Sequence, residues 1–402
     1  MKKILLLLVF SLLTVFLLLI RSQSAFAQPQ SNVLSGSVRD SASGNPLAGV
    51  SVFLNSTSKG TVTRADGTFI LPGIPPGRYQ MVISAIGYET IIIEISSRNL
   101  PPALKIALRV KAAELEAFTV EPFMKDGWQR FGKFFLDNFI GTTDNASSCS
   151  IKNRNVLRFH FYKKSNRMSV TATDPLIIEN KALGYDLEYR LERFVVDYST
   201  NIVSYYGYPL FKEMTADFSS TQEKWEQRRR LAYMGSLMHF MRTLYKNQLQ
   251  SEGFIVEHEI NVPNVEKQRV KAIYHPNITK TDSIPIDTLH HYWEVLRQPD
   301  FFTPKVRSYD GLLTIHPDGT RSLYFTGDCT VIYGNGHLGI AYKESELRLM
   351  EPVSIEIGEN GSYYPSQVIL TLGNWSKTET IANLLPRDYE MYGPDASKAP
   401  AQ

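Results

Sequence analysis

The chain has 402 residues, with 43 Lys and Arg against 40 Asp and Glu, and its apolar (43%) and charged (21%) fractions are those of ordinary globular proteins. Lys2, Lys3 and Arg21 are the only charges ahead of Ala27, and without them basic and acidic residues balance at 40 each. A mature chain that lacks those three residues has no net charge and no basic block, hence no electrostatic reason to follow a phosphate backbone, which argues against nucleic acid as a partner.

The first 27 residues have the three parts of an export signal. Lys2 and Lys3 precede an apolar run from Ile4 to Ile20, and a small-residue exit ends at Ala25, Phe26 and Ala27. Cleavage is expected after Ala27. A retained anchor is the alternative, because the run is at the short edge of what spans a bilayer. No cysteine follows the exit, which argues against a lipid-anchored form, and no later apolar run is long enough to make a transmembrane segment of the mature chain. The expected location is therefore outside the cytoplasm, in the periplasm or at the surface of a Gram-negative cell, in association with the outer membrane. About 375 mature residues exceed one hydrophobic core, so two or more domains are expected. Cys149 and Cys329 could pair in an oxidising compartment, although two buried free thiols are the simpler reading.

From Val33 to Arg109, within an expected domain of residues 28–110, short runs alternate apolar and polar residues between glycine, proline and aspartate, the pattern of half-buried antiparallel strands. Val50, Val52 and Leu54 share one face. Phe69 with Leu71, Tyr79 with Met81 and Ile83, Ile91 with Ile93 and Ile95, and Leu104 with Ile106 and Leu108 repeat the period of two. Asp66 and Gly67 predict a hairpin turn, and Pro75, Pro76 and Gly77 open the next one. Seven strands in about 80 residues make a sandwich of immunoglobulin-like size with no room for a deep active site.

The strings Gly36 to Asp40, Gly44 to Val52, Gly60 to Phe69, Ile74 to Tyr79 and Ile86 to Tyr88 closely resemble the carboxypeptidase regulatory-like domain, in the order and spacing of that family. Arg64 departs from the pattern, since the family usually has an acid there. The resemblance implies a transthyretin-like β-sandwich without catalytic function. In the family it is appended to metallocarboxypeptidases or, most often in Bacteroidota, precedes the plug of TonB-dependent receptors. This chain is too short to hold the receptor barrel, so the resemblance implies an exported accessory module.

Residues 111–122 are charged and alanine-rich and read as a linker. The region 123–392 then reads as a larger, antiparallel, β-rich α+β domain, ahead of a disordered tail at 393–402. Trp128, Phe131, Phe134, Phe135 and Ile140 predict an opening amphipathic helix. Leu157, Phe159 and Phe161 alternate with Arg158 and His160, and Leu187, Tyr189 and Leu191 alternate with Glu188, Arg190 and Glu192. Runs at 254–260, 269–274, 312–316, 323–325, 330–333 and 368–372 are expected to continue that sheet, with His316 to Gly319 as a hairpin turn. Between them Ser220 and Glu223 predict a capping box. It starts a long amphipathic helix whose stripe is Met234, Leu237, Met238, Met241, Leu244 and Tyr245, with Arg242 and Lys246 opposite and Gly253 as the stop. A methionine-rich stripe could be a promiscuous groove, but core packing on its own sheet is the better reading. The segments Asp174 to Tyr185, Tyr206 to Phe211 and Leu384 to Tyr389 resemble a region that follows the same module in exported Bacteroidota proteins, and that resemblance assigns no activity.

The expected fold is thus mainly β, a seven-stranded sandwich followed by the larger domain. Chemistry is sparse. His291 and Glu294 fit the H-x-x-E zinc pair of carboxypeptidases, but only His316 and His337 follow, too close for the third ligand, so a short helix from Asp287 to Arg297 with Tyr292 and Leu296 packed inward is preferred. No serine-nucleophile or phosphate-binding glycine motif is present, and Gly334, Gly336 and Gly339 read as a loop. No catalytic, metal or cofactor-binding residue is assigned. Tyr205, Tyr206 and Tyr208 are candidates for stacking a sugar or peptide, weighed against ordinary cross-strand packing. The favoured function is an exported, non-enzymatic binding or scaffold protein of the cell envelope, with an envelope protein or glycan as partner. The alternative is a hydrolase of unfamiliar type acting on envelope polymers from the second domain. Partnership with a TonB-dependent receptor system rests on family association alone.

Overall fold

Seven strands follow from the alternation in the first module: β1 (Val33–Asp40), β2 (Ser51–Leu54), β3 (Gly60–Val62), β4 (Thr68–Pro72), β5 (Arg78–Ser84), β6 (Ile91–Ser96) and β7 (Leu104–Leu108). The computed structural model describes residues 32–111, 123–275, 284–335 and 340–391. The export signal, the linker apart from Lys111 and the tail lie outside the described residues. Two sheets, ordered β4-β1-β7 and β3-β2-β5-β6, close over Leu34, Val52, Phe69, Met81 and Ile106. The turn at Asp66 and Gly67 forms, with the amide of Gly67 donating to the Arg64 carbonyl at 2.9 Å, but it is no hairpin. Its flanking strands β3 and β4 enter opposite sheets, so the turn crosses the sandwich.

Helix α1 (Gly127–Phe139) opens the second region and buries Phe135 and Phe139. Phe134 is exposed instead, because the turn of the helix carries Phe139 and not Phe134 onto the face with Phe135. Next come β8 (Cys149–Ile151), β9 (Leu157–Tyr162), β10 (Arg167–Ala172), β11 (Leu176–Asn180), β12 (Tyr185–Asp197) and β13 (Ile202–Glu213). The thirteen-residue β12 organises the sheet: β13 pairs along one edge, while β11 and then β10 share the other. Its alternating inward residues, Leu187, Tyr189 and Leu191, pack with Phe159 and Phe135 in one core.

The long helix is two helices, α2 (Ser219–Tyr233) and α3 (Leu237–Tyr245). Gly235 breaks it at φ +75°, where a Cβ would lie 2.5 Å from the Tyr333 ring. Ser220 and Glu223 do not cap α2. Phe218 takes the extended capping conformation, which places both residues inside the helix. The cap that forms is at α3, where Ser236 Oγ accepts from the His239 amide at 3.1 Å. Of the stripe, Leu237, Met238, Met241 and Leu244 are buried, as core packing requires. Arg242 does not face solvent; it turns back to bind three carbonyls of the C-terminal segments.

The later strands do not continue the first sheet. They are β14 (Phe254–Glu259), β15 (Val262–Pro263), β16 (Phe301–Phe302), β17 (Lys305–Arg307), β18 (Leu313–Ile315), β19 (Arg321–Leu323), β20 (Asp328–Asn335), β21 (Ile340–Leu349), β22 (Ile355–Ile357), β23 (Tyr363–Tyr364) and β24 (Ile369–Gly373). They form a five-stranded sheet β17-β14-β20-β21-β24, a four-stranded sheet β18-β19-β22-β23 and the pair β15-β16. A second core of Phe240, Phe254, Val331, Leu347 and Trp375 lies beneath them, and Met234 touches both cores. Residues 265–273, expected to include a strand, form helix α4 (Val265–Ile273), whose buried Val270 packs on α5 (Ile286–Arg297). Asn264 caps α4, its side chain accepting from the Lys267 amide at 3.0 Å, and this cap favours helix over strand. The hairpin at His316 to Gly319 forms as expected, joining β18 to β19. The short helix α6 (Asn374–Thr378) seats Trp375 in the second core. No helix among the described residues is long and apolar enough to cross a membrane.

Candidate functional site

Polar contacts join the sandwich to the second region along one seam. The turn between β2 and β3 enters the second region as if it were a short extra strand. The Ser56 amide donates to the Pro209 carbonyl at 2.8 Å, and the Phe211 amide donates to the Thr57 carbonyl at 2.9 Å. On the other side the Arg387 amide donates to the Ser56 carbonyl at 2.5 Å. Asp388 then accepts from the Ser58 amide at 2.9 Å and from its hydroxyl at 2.5 Å, with Lys59 at 3.9 Å. Thr57 is fully buried, and Gly60 allows the Leu210 side chain to lie against the strand. Because the turn contributes backbone as well as side-chain partners, the attachment is directional and fixes the register of the sandwich on β13.

Two C-terminal segments converge on the same seam through Arg242. Its guanidinium donates to the carbonyls of Asn360 (3.2 Å), Arg387 (3.0 Å) and Tyr389 (3.0 Å). Asn360 in turn donates to the Arg78 carbonyl at 3.3 Å, and Arg78 pairs with Glu356 across the seam. These contacts border a partly open cavity of about 60 Å³ with Ser56, Arg78, Ser362, Tyr364 and Arg387 in its wall. Burial lowers the pKa of Arg387 and raises that of Glu379, which accepts from the Leu237 amide at 2.9 Å. A second, open hollow of about 250 Å³ lies on the sandwich at Arg78, Glu94, Ser96 and Asn99. Both fall below the volume of a typical small-molecule pocket.

The structure separates the three tyrosines of β13. Tyr205 points into the first core, edge-on to Phe139 at 5.2 Å and stacked on Phe194 at 6.0 Å. Strand alternation puts Tyr206 and Tyr208 on the opposite face with Leu210, beside the seam. Tyr206 is half exposed, while burial, with Glu192 adding its charge, pushes Tyr208 up to about 12. Tyr206 is thus solvent-exposed and Tyr208 only partly so.

Elsewhere, residues with a chemical aspect are structurally committed. His291 contacts Glu266 at 3.1 Å and Glu294 contacts His290 at 3.5 Å, so the H-x-x-E pair is divided between different partners. Among the described residues no group of three or more His, Cys, Asp or Glu side chains could hold a metal ion. Ser322 and His316 are 2.8 Å apart in the manner of a nucleophile and base. Ser322 is buried, however, and the nearby Asp318 carboxylate is taken by Thr320. Cys149 and Cys329 are free, and burial pushes each thiol up to about 12. Gly334 lies within β20; Gly336 and Gly339 lie outside the described residues. Sequence reasoning missed Ser56 to Ser58, Arg242 and Asp388, which carry no local motif because their partners are far away in the chain.

A family model described as CarboxypepD_reg-like domain matches residues 34–120, so the N-terminal sandwich is a domain of that kind. No curated protein matches the chain. Among solved structures, a type II cohesin–X-dockerin complex from Acetivibrio cellulolyticus is 20% identical over 28% of this chain and 76% of that chain, with a TM-score of 0.19. A putative membrane-associated protein of unknown function from Bacteroides fragilis is 10% identical over 81% and 93%, at a TM-score of 0.15. The major pilin subunit BcpA of Bacillus cereus is 11% identical over 82% and 96%, at 0.16. Likenesses this slight have no bearing on function.

Proposed function

We propose that this chain is an exported, non-enzymatic binding or scaffold protein of the cell envelope. In this reading the CarboxypepD_reg-like sandwich is the docking module and the second region grips an envelope protein or glycan. The observation that carries it is the seam: backbone hydrogen bonds between residues 56–57 and both β13 and Arg387 hold the sandwich in one orientation. A rigidly seated module suits presentation of a composite surface, because pre-organisation lowers the entropy lost on binding. Tyr206 and Tyr208 stand on the outer face beside that seam, and such side chains give large contact area at low conformational cost.

The test is capture from native envelopes by the tagged mature chain and by a Tyr206→Ala/Tyr208→Ala variant, with fractionation of the same cells. The expected result is an envelope location and a partner retained by the parent and lost from the variant. Cytoplasmic location, or turnover of an envelope polymer by the purified protein, would overturn the reading.

A further inference from the structure

Arg387 is held by both its backbone amide and its backbone carbonyl. Its amide donates to the Ser56 carbonyl, and its carbonyl accepts from Arg242. The position of the guanidinium is therefore set by the seam. Yet its Nη1 is buried with no hydrogen-bond partner, and among the described residues Arg387 forms no ion pair. Tyr363, with the cation 5.5 Å from its ring centroid, is a π contact and supplies no counter-charge.

The carboxylates that could serve are engaged. Asp388 is held by Ser58, and Glu356 by Arg78. Glu379 accepts from the Leu237 amide and makes no ion pair with Arg387. At longer range the Glu379 charge favours the Arg387 cation and the Arg242 charge opposes it. A second polar atom in the same cavity wall is also orphaned: Ser362 is 7% exposed and its Oγ has no partner. Buried polar groups are almost always paired, and an unpaired buried cation is costlier than an unpaired hydroxyl, so two orphans in one wall point to a missing acceptor.

We infer that the seam cavity is a binding site for one small oxyanion, with Arg387 as its principal ligand and the Ser362 hydroxyl as a second donor. At about 60 Å³ the cavity has the volume of about two waters, which admits a phosphate, sulfate or carboxylate group. Its wall is shared between the sandwich, through Ser56 and Arg78, and the second region, through Ser362, Tyr364 and Arg387. An anion held there bridges the two and stabilises their docking. This inference is independent of the envelope role.

The experiment is thermal unfolding of the mature protein in phosphate, sulfate or acetate, each against chloride at matched ionic strength. A saturable rise in Tm is expected with at least one oxyanion, on the order of 3 °C at a hundredfold excess over Kd, and absent in Arg387→Gln. A response to phosphate and sulfate alone assigns a tetrahedral anion, and a response to acetate alone assigns a carboxylate. No oxyanion effect beyond chloride, or an equal rise in the variant, overturns the site. Should the variant not fold, crystals of the parent soaked in selenate decide: an anomalous peak within hydrogen-bond distance of Arg387 Nη1 supports the site, and water alone overturns it.

Discussion

Replacing Arg242 by methionine tests whether one side chain holds the seam together. Methionine keeps much of the aliphatic volume beside Tyr233 but removes the donors to Asn360, Arg387 and Tyr389. Hydrogen bonds from a charged donor contribute about 1.5–3 kcal/mol each when well buried; these are partly buried, and about 1 kcal/mol apiece is the fitting value. The expected loss is about 3 kcal/mol, which moves a urea midpoint by roughly 1 M for a slope near 3 kcal/mol/M. Unfolding followed by tryptophan fluorescence and by far-UV circular dichroism measures it, and hydrogen exchange at residues 55–59 reports whether the seam opens first. Arg242→Lys should recover only part of the loss, because an ammonium lacks the planar fork that reaches several carbonyls at once. A midpoint for Arg242→Met within 0.3 M of the parent, with unchanged exchange at residues 55–59, would refute the reasoning (about 1 kcal/mol at that slope).

Acid should weaken the protein through His239. Its Nδ1 accepts from the Gly235 amide at 3.1 Å, and burial, with Arg242 adding to it, holds the imidazole down to about 4. Glu252 at 3.8 Å is half exposed and too well solvated to offset this. The unfolded chain takes up the proton near pH 6.5, so this stability is full above that value and declines as pH falls from 6.5 to 4. The decline is about 3 kcal/mol, and urea midpoints at pH 7 and pH 4 should converge in a His239→Gln variant. Asp388→Ala should cost about 1–2 kcal/mol and raise exchange at Ser58, read by mass spectrometry after deuterium labelling. Both thiols should resist alkylation at pH 8 in the native protein and react fully in urea, since burial keeps Cys149 and Cys329 protonated.

Much of the architecture was legible because it rests on local periodicity. The period of two in Phe69 and Leu71, or in Leu187, Tyr189 and Leu191, follows from alternate side chains entering one core, and it needs no knowledge of the partner strand. The family strings placed the sandwich for the same reason: turn residues at fixed offsets record local backbone demands. Errors arose where a local signal met a tertiary competitor. Residues 269–274 carry a short apolar run that suits a strand, yet the Asn264 cap and packing on α5 make most of it a helix. The stripe from Met234 to Tyr245 has a helical period, but contact with Tyr333 admits only glycine at 235 and ends the first helix there.

The candidate site was scarcely legible. Tyr206 and Tyr208 could be named because they are large and close together, but the alternation that sends Tyr205 inward places the other two beside the seam only once the strand is folded against the sandwich. Ser58 and Asp388 are 330 residues apart, and Arg242 reaches 118 to 147 residues along the chain for its three carbonyls. No spacing rule spans such distances. The sequence by itself determined that the chain is mainly β, that a sandwich precedes the larger region and that basic and acidic residues nearly balance, 43 against 40, since these depend on composition and on residues within a few positions of one another. Only the tertiary structure decided how strands divide among sheets, where the sandwich sits and which arginine forms no ion pair among the described residues, because those depend on side chains meeting across hundreds of residues of chain.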